Sequence, residues 1–301
     1  MGDGPKIDIG LKVDVKADLG EITGQFFEKV DKGAGGWFSS TITIRNARAK
    51  AKVAILEAET EAKIATIKQK AWIAGDEFEQ KAFELIPQRA LRDLQNIYAI
   101  SEKASLQLKP GAKPQEIDDD WMANAVDKAR LISNEEMQTL WSRVLAGEAN
   151  KPGSFSRRTV NFLADLDRSD CEQFTKLCCF HCSVGSEATD AVPLVFDYND
   201  PLYTKHGIDF ELLSHLDSIG LITVDYAAGY RHDGPAYPFG YFDTQLTITL
   251  SEGITDKSVP IGIALYTKVG RELVQIAGGT PLPDFLSYIR GKWDHLFNPT
   301  T

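Results

Sequence analysis

The densest set of reactive side chains lies between residues 171 and 182, where Cys171, Cys178, Cys179, His181 and Cys182 fall together. Cys179 and Cys182 have the C-x-x-C spacing of a zinc ligand pair, with His181 between them. A structural zinc site needs about four ligands converging on one point and a backbone free to wrap them. Here there is no second C-x-x-C pair, Cys178 and Cys179 are adjacent, and the run has the apolar spacing of a helix. Buried structural thiols are therefore expected ahead of a metal site or redox chemistry. No metal and no cofactor is assigned.

The other chemistry-bearing residues do not converge. His206, His215, His232 and His295 stand beside no G-x-S-x-G, H-E-x-x-H or other nucleophile motif. Asp118, Asp119 and Asp120 read as helix caps, and Asp165, Asp167 and Asp170 lack the glycine and terminal glutamate of a calcium loop. Gly33-Ala34-Gly35-Gly36 is followed by no Lys-Ser or Lys-Thr, so it is no phosphate-binding loop. No catalytic residue is assigned, and the expectation is a protein without enzymatic activity. Arg157 and Arg158, at a helix start after Ser156, have two readings: an anion contact, or a corner salt-bridged to Glu148, Asp165 or Asp167.

The elements that must carry these residues follow from periodicity. Ile7, Ile9, Leu11, Val13 and Val15 alternate with polar residues, which predicts a β-strand whose mate is another chain or the C-terminal region. Ile22, Phe26, Phe27 and Val30 predict a short helix, ended by the glycines at 33–36. Residues 1–40 are thus read as a strand and contact segment. Phe26, Phe27, Trp37 and Phe38, followed by Arg45, Arg48, Lys50 and Lys52, are its candidate membrane or partner contacts. The region 41–108 is rich in Ala, Glu and Lys and predicts a long helix, kinked or divided at Pro87. Ala51, Ile55, Ala58, Ala62 and Ala65 repeat at 4-3 spacing, a stripe that needs a neighbouring helix and is the candidate oligomerisation seam. Residues 45–72 hold seven basic and three acidic side chains, either a lipid or phosphate contact or the solvated face of an oligomer helix.

Lys109 to Pro114 reads as a linker, and 109–117 is the expected domain boundary. Residues 118–190 predict four short helices in a bundle, with capping boxes at Ser133–Glu136 and Ser169–Glu172 and a stop at Gly147. Residues 191–301 predict strand, helix from Asp209, Gly220, strand, a loop or long hairpin over Tyr226–Tyr241, strands at Gln245–Leu250 and Ile261–Leu265, helix from Thr267 and a last helix at about 283–297. That order is winged-helix-like. The fold expected is α+β and mostly helical: a long N-terminal helix, a central helical bundle and a C-terminal winged-helix-like module.

Composition narrows the function classes. The chain has 301 residues, a formal charge of -10, 43% hydrophobic and 25% charged residues, and four cysteines. Bulk disorder and a disulfide-dense secreted scaffold are excluded. No apolar run reaches the roughly 18 residues of a membrane span, and residues 1–5 resemble no signal peptide. Gly2 is no myristoylation signal, because Lys6 stands where Ser or Thr is required. The expected location is cytoplasmic, or peripheral to the inner membrane. Residues 151–301 carry 12 Lys and Arg against 19 Asp and Glu, and the helix from Asp209 to Gly220 has no Lys or Arg. Groove-reading helices need donors and cations, so specific DNA binding is not expected.

The run from Ser133 to Ser156, SNEEMQTLWSRVLAGEANKPGSFS, resembles a bacterial family known only as a domain of unknown function. The Gly270-Arg271-Glu272-Leu273 helix and the Trp293 end are similar to it as well, and the resemblance extends over about residues 45–297. More loosely, Glu136 to Gly147 resembles the helical core of the abortive-infection alpha family, which is associated with phage defence. The Ala-rich helix is similar in composition to coiled segments of stomatin- and prohibitin-like ring assemblies. These resemblances imply an oligomeric scaffold or sensor, or a membrane-acting effector, and supply no catalytic residues. The partners implied are further copies, a second defence protein or phage component, and a membrane in peripheral contact. A winged-helix nucleic-acid-binding regulator is the alternative.

Overall fold

The structure, a computed structural model, describes residues 9–36, 77–185, 191–233, 236–249 and 258–294. It is mixed α/β and divides into two compact units, Met1–Ala164 and Asp165–Thr301.

Among the described residues the first unit is helical. Helix α1 spans Ile9–Gly33. The strand expected over 7–15 is therefore corrected. The alternating run contains Leu11 and Val15, which continue through Leu19, Ile22, Phe26 and Val30 at steps of three and four. A helix propagates more cheaply than it nucleates, so the strong downstream stripe extends it upstream. Ile22, Phe26 and Val30 are buried. Helix α2 spans Glu77–Ser105 and runs through Pro87 without the division expected there. Ile97, Ile100 and Ala104 form its buried face.

Helices α3 (Asp119–Ala129), α4 (Glu135–Asn150) and α5 (Arg157–Asp165) complete the unit. The Trp121 N–H donates to Asp118 Oδ1 at 2.8 Å, the expected cap of α3. The cap of α4 is Asn134, one residue past the expected Ser133: its Oδ1 accepts from the N–H groups of Glu136 and Met137. α4 packs on α2, and α1 packs on α3. Buried Lys29 and exposed Lys32 of α1 both pair with Asp119 at the start of α3.

The stretch 109–117 lies inside the first compact unit. Leu108, Ala112 and Ile117 are buried. The Lys109 N–H donates to Asn150 Oδ1 and the Lys113 N–H to the Ala149 carbonyl, both at 2.8 Å. Its prolines and glycine shape a packed turn, with a short 3-10 helix at Pro114–Glu116. The two compact units meet in sequence at Ala164 and Asp165, at the end of α5, so α3 and α4 lie in the first unit and α6 in the second.

The second unit opens with α6 (Arg168–Cys178), where Asp170 Oδ2 accepts the Asp167 N–H at 3.0 Å. This cap lies two residues before the expected Ser169. Strands β1 (His181–Val184) and β2 (Ala191–Pro193) follow, then α7 (Pro201–Thr204) and α8 (Phe210–Ser218). After β3 (Ile222–Val224) come β4 (Tyr230–Asp233), β5 (Ala236–Tyr241), β6 (Thr244–Thr249), β7 (Ser258–Gly262) and β8 (Ala264–Tyr266). Helices α9 (Lys268–Val274) and α10 (Phe285–Trp293) close the described chain.

All pairings are antiparallel. One sheet has the order β2-β1-β5-β6, with Cys182 opposite Val192 and Val184 opposite Phe239. β3 pairs with β8, and β4 with β7, as two two-stranded sheets. Pro193 sits on edge strand β2, where its missing N–H costs little. α8 packs on β3 and α6. The core is aromatic: Phe180, Tyr203, Phe239, Phe285 and Trp293 are buried, with Trp293 edge-on to Phe239 at 5.5 Å.

Candidate functional site

The sequence candidates are distributed as follows. Ala51, Ile55, Ala58, Ala62, Ala65, Trp37, Phe38, Arg45, Arg48, Lys50 and Lys52 lie outside the described residues. Phe26 is fully buried and Phe27 half-buried, with the two rings edge-to-face at 5.8 Å. Phe26 is thus a core residue and not a contact, because α1 buries it on the stripe shared with Ile22 and Val30.

Arg157 and Arg158 are exposed at the start of α5, after a corner built by the run at 133–156. Glu148, almost fully buried, accepts the Gly153 N–H at 2.6 Å and the Phe155 N–H at 3.0 Å through its two oxygens. Trp121 Nε1 donates to the Phe155 carbonyl at 2.7 Å. Gly147 lies inside α4, and a Cβ there would stand 2.6 Å from Phe155 Cε2. The expected helix stop is therefore a point of close approach. An open depression of about 460 Å³ beside the corner is lined by Glu116, Asp118, Glu148 and Arg157 among others. Its carboxylates outnumber the one arginine, and Arg158 is not in its wall. A second cavity of about 250 Å³ contains Asp93, Asp127 and Arg130, and Arg130 pairs with both aspartates at 2.7 and 3.0 Å.

The cysteine cluster is spread over α6, the Cys179 that caps it and β1, and none of the four cysteines forms a disulfide. Burial pushes the Cys178 and Cys182 thiols up. Burial, then the neighbouring Asp170 and Asp167, pushes Cys171 up to about 11. High thiol pKa values disfavour the thiolate that metal binding and nucleophilic chemistry require. His181 is pulled down by burial and packs against the Tyr266 ring at 5.8 Å.

The most developed surface feature is one that sequence reasoning missed. Tyr198, Phe210 and Tyr226 touch in all three pairs, at 5.9, 5.7 and 5.2 Å between ring centroids. Phe210 is 53% exposed and Tyr226 42% exposed. Each ring follows an aspartate whose carboxylate accepts backbone N–H groups just ahead of it. Asp197 takes the N–H of Asn199, Asp209 that of Leu212, and Asp225 those of Ala227 and Ala228. Three Asp-anchored turns thus present three rings on one platform. Phe210 is the first residue of α8, whose exposed side continues through Glu211 and Ser214.

Carboxylates predominate around the platform, and Lys292 pairs with one of them, Asp200, at 3.4 Å. Segments 197–200, 209–218 and 222–229 carry Asp197, Asp200, Asp209, Glu211, Asp217 and Asp225, and no Lys or Arg. Partial burial, then Asp217 and Tyr198, raises the Tyr226 phenol. The N–H groups of Ala228 and Ala227 hold the Asp225 carboxyl below its usual range. His215 on α8 is turned to Asp170, 2.7 Å away. The Asp-aromatic dipeptide was visible in the sequence, but Asp120-Trp121 and Asp284-Phe285 share it and bury their rings.

Comparison with known proteins gives one match. A family model described as "Protein of unknown function (DUF2806)" matches residues 80–290. The match begins later than the resemblance drawn from the sequence, so the basic stretch at 45–72 lies outside it. No curated protein matches the chain, and no solved structure does.

Proposed function

The chain belongs to the DUF2806 family, and we propose that it is a non-enzymatic oligomeric scaffold or sensor whose second unit is a winged-helix-like module turned to protein recognition. The order α6, β1, β2, α7, α8, β3, with β8 returning to pair with β3 after the β4–β7 segment, supports the winged-helix reading. In such modules the helix at the α8 position enters the major groove. The observation that carries the proposal is what α8 presents: Phe210, Glu211 and Ser214 on its exposed side, joined to Tyr198 and Tyr226, with no Lys or Arg. A groove-reading helix supplies cations for phosphates and donors for base edges. Exposed, clustered aromatic area is instead a feature of protein contacts.

Assembly runs through the 4-3 stripe from Ala51 to Ala65, and the looser resemblance of Glu136 to Gly147 to the abortive-infection alpha family supports a setting in antiphage defence. A second defence protein or phage component is the partner this setting supplies. No described helix is long and apolar enough to cross a membrane, so any membrane contact of the segment before residue 53 is peripheral in this reading. The element order also favours a second reading, a nucleic-acid-binding regulator.

One experiment separates the two. The full chain is titrated with mixed-sequence duplex DNA at physiological salt, and its native mass is measured with and without Ile55→Asp. We expect no duplex binding tighter than about 10 μM and a mass above that of a monomer that falls in the variant, since a charge in a dry seam is costly. A wild-type monomer, or submicromolar binding with sequence preference, defeats the proposal. The second outcome installs the regulator.

A further inference from the structure

We propose that the Tyr198–Phe210–Tyr226 platform is the docking site for a segment of a partner protein that carries lysine or arginine side by side with an apolar residue. This names the partner chemistry of the protein-binding reading above and rests on it.

Three observations lead there. First, the platform is built. Each ring is held by an Asp-anchored turn and braced by the other two at 5.2 to 5.9 Å. Rigid aromatic area of this kind loses little conformational entropy on binding. Second, it is left open. Phe210 and Tyr226 keep 53% and 42% of their surface in water, whereas Phe180, Tyr203 and Phe285 of the same unit are buried. Third, carboxylates predominate around it, and one of them, Asp200, is paired with Lys292 of α10 at 3.4 Å. The segments that carry the rings contribute six carboxylates and no Lys or Arg.

Charge selects the occupant. Lys and Arg stems lie along apolar rings while their heads meet the ring faces and nearby carboxylates. Cation–π attraction and charge complementarity then act together. A nucleic acid strand could stack its bases on the rings, but its phosphates would meet the carboxylates of Asp197, Asp209, Glu211, Asp217 and Asp225. A second copy docking through the same face would set Glu211 and its neighbours against themselves, because a two-fold contact is self-complementary. A basic partner segment satisfies both the rings and the charge.

The test starts from random peptides displayed on phage, selected on the full chain and counter-selected on a Phe210→Ser/Tyr226→Ser variant whose fold is checked by circular dichroism. Enriched peptides are synthesised, and their affinities are measured by fluorescence polarisation. The expected winners carry Lys or Arg next to an aromatic or aliphatic residue, and bind the double variant at least about tenfold more weakly. Glu211→Lys/Asp217→Lys keeps the rings and changes only charge. It should weaken the same peptides by about tenfold or more, and added salt should mimic it. Enrichment of acidic or uncharged peptides, equal binding to either variant, or no enrichment overturns the proposal. Any of these, with the native mass above monomer and no duplex binding, leaves the scaffold reading standing. Submicromolar duplex binding removes both.

Discussion

Removing the Glu148 carboxylate tests whether the most recognisable run of the sequence is structural. Its two oxygens accept the N–H groups of Gly153 and Phe155 at 2.6 and 3.0 Å, and the side chain is almost fully buried. Hydrogen bonds to a charged group contribute about 1.5–3 kcal/mol each, and a buried N–H left without an acceptor carries a penalty of similar size. Glu148→Ala removes both acceptors, so the first unit should lose about 3–5 kcal/mol. With a urea slope of about 2 kcal/mol per molar, the unfolding midpoint should fall by roughly 1.5–2.5 M. Glu148→Gln keeps one carbonyl oxygen but turns an amide toward the other N–H, so about half of the loss is expected. Urea titration followed by tryptophan fluorescence reads this directly. Trp121 donates to the carbonyl of Phe155, the residue that Glu148 holds. An Ala variant within about 0.3 M of the wild-type midpoint, or a Gln variant as damaged as Ala, would refute the reasoning.

Two further predictions concern titration. Hydrogen bonds from Lys29, then Lys32, hold the Asp119 carboxyl down at about 2, against an ordinary 3.8. A carboxyl depressed on folding stabilises above its unfolded value, and that contribution is lost as pH falls through the folded one. Between about pH 4 and pH 2 the wild-type thermal midpoint should therefore fall more steeply than that of Asp119→Asn, and parallel curves would defeat the pairing. The thiols of Cys178 and Cys182, both buried, should resist alkylation in the native chain and react on denaturation, and the purified chain should carry no stoichiometric zinc. Rapid native labelling of Cys182, read by peptide mass, or zinc lost on Cys182→Ser, would reverse that reading.

Elements were legible where an apolar period met a side-chain cap. Asp118, Asp209 and Thr267 each accept an N–H of the helix they open, as their positions before an apolar run predict. α1 was misread because a short run at period two contains every fourth residue, and so contains a helix stripe as well. Composition marks 109–117 as a turn but does not report its burial. Pro114 and Gly111 belong to a turn pinned on Asn150 and Ala149. The division between the compact units, at Ala164 and Asp165, carries no proline or glycine. Gly147 was read as a stop because its role, room for the Phe155 ring, depends on a residue eight positions away that returns through the corner.

The aromatic platform shows why a surface site hides where a core does not. A helix face or a strand repeats within a few residues, so its pattern is local. Tyr198, Phe210 and Tyr226 come from a loop, a helix start and a turn after β3, and only the fold of the second unit makes them neighbours. Their local signature, an aspartate followed by a ring, is the same at Trp121 and Phe285, whose rings are core. Net charge was the better guide, though it was read only as an exclusion. The acidic excess of residues 151–301 argued against a phosphate backbone. Concentrated around three open rings, the same excess becomes a preference. On the proposal made above, it disfavours nucleic acid and a second copy of the same face, and it leaves a basic, partly apolar chain segment as the ligand that loses least on arrival.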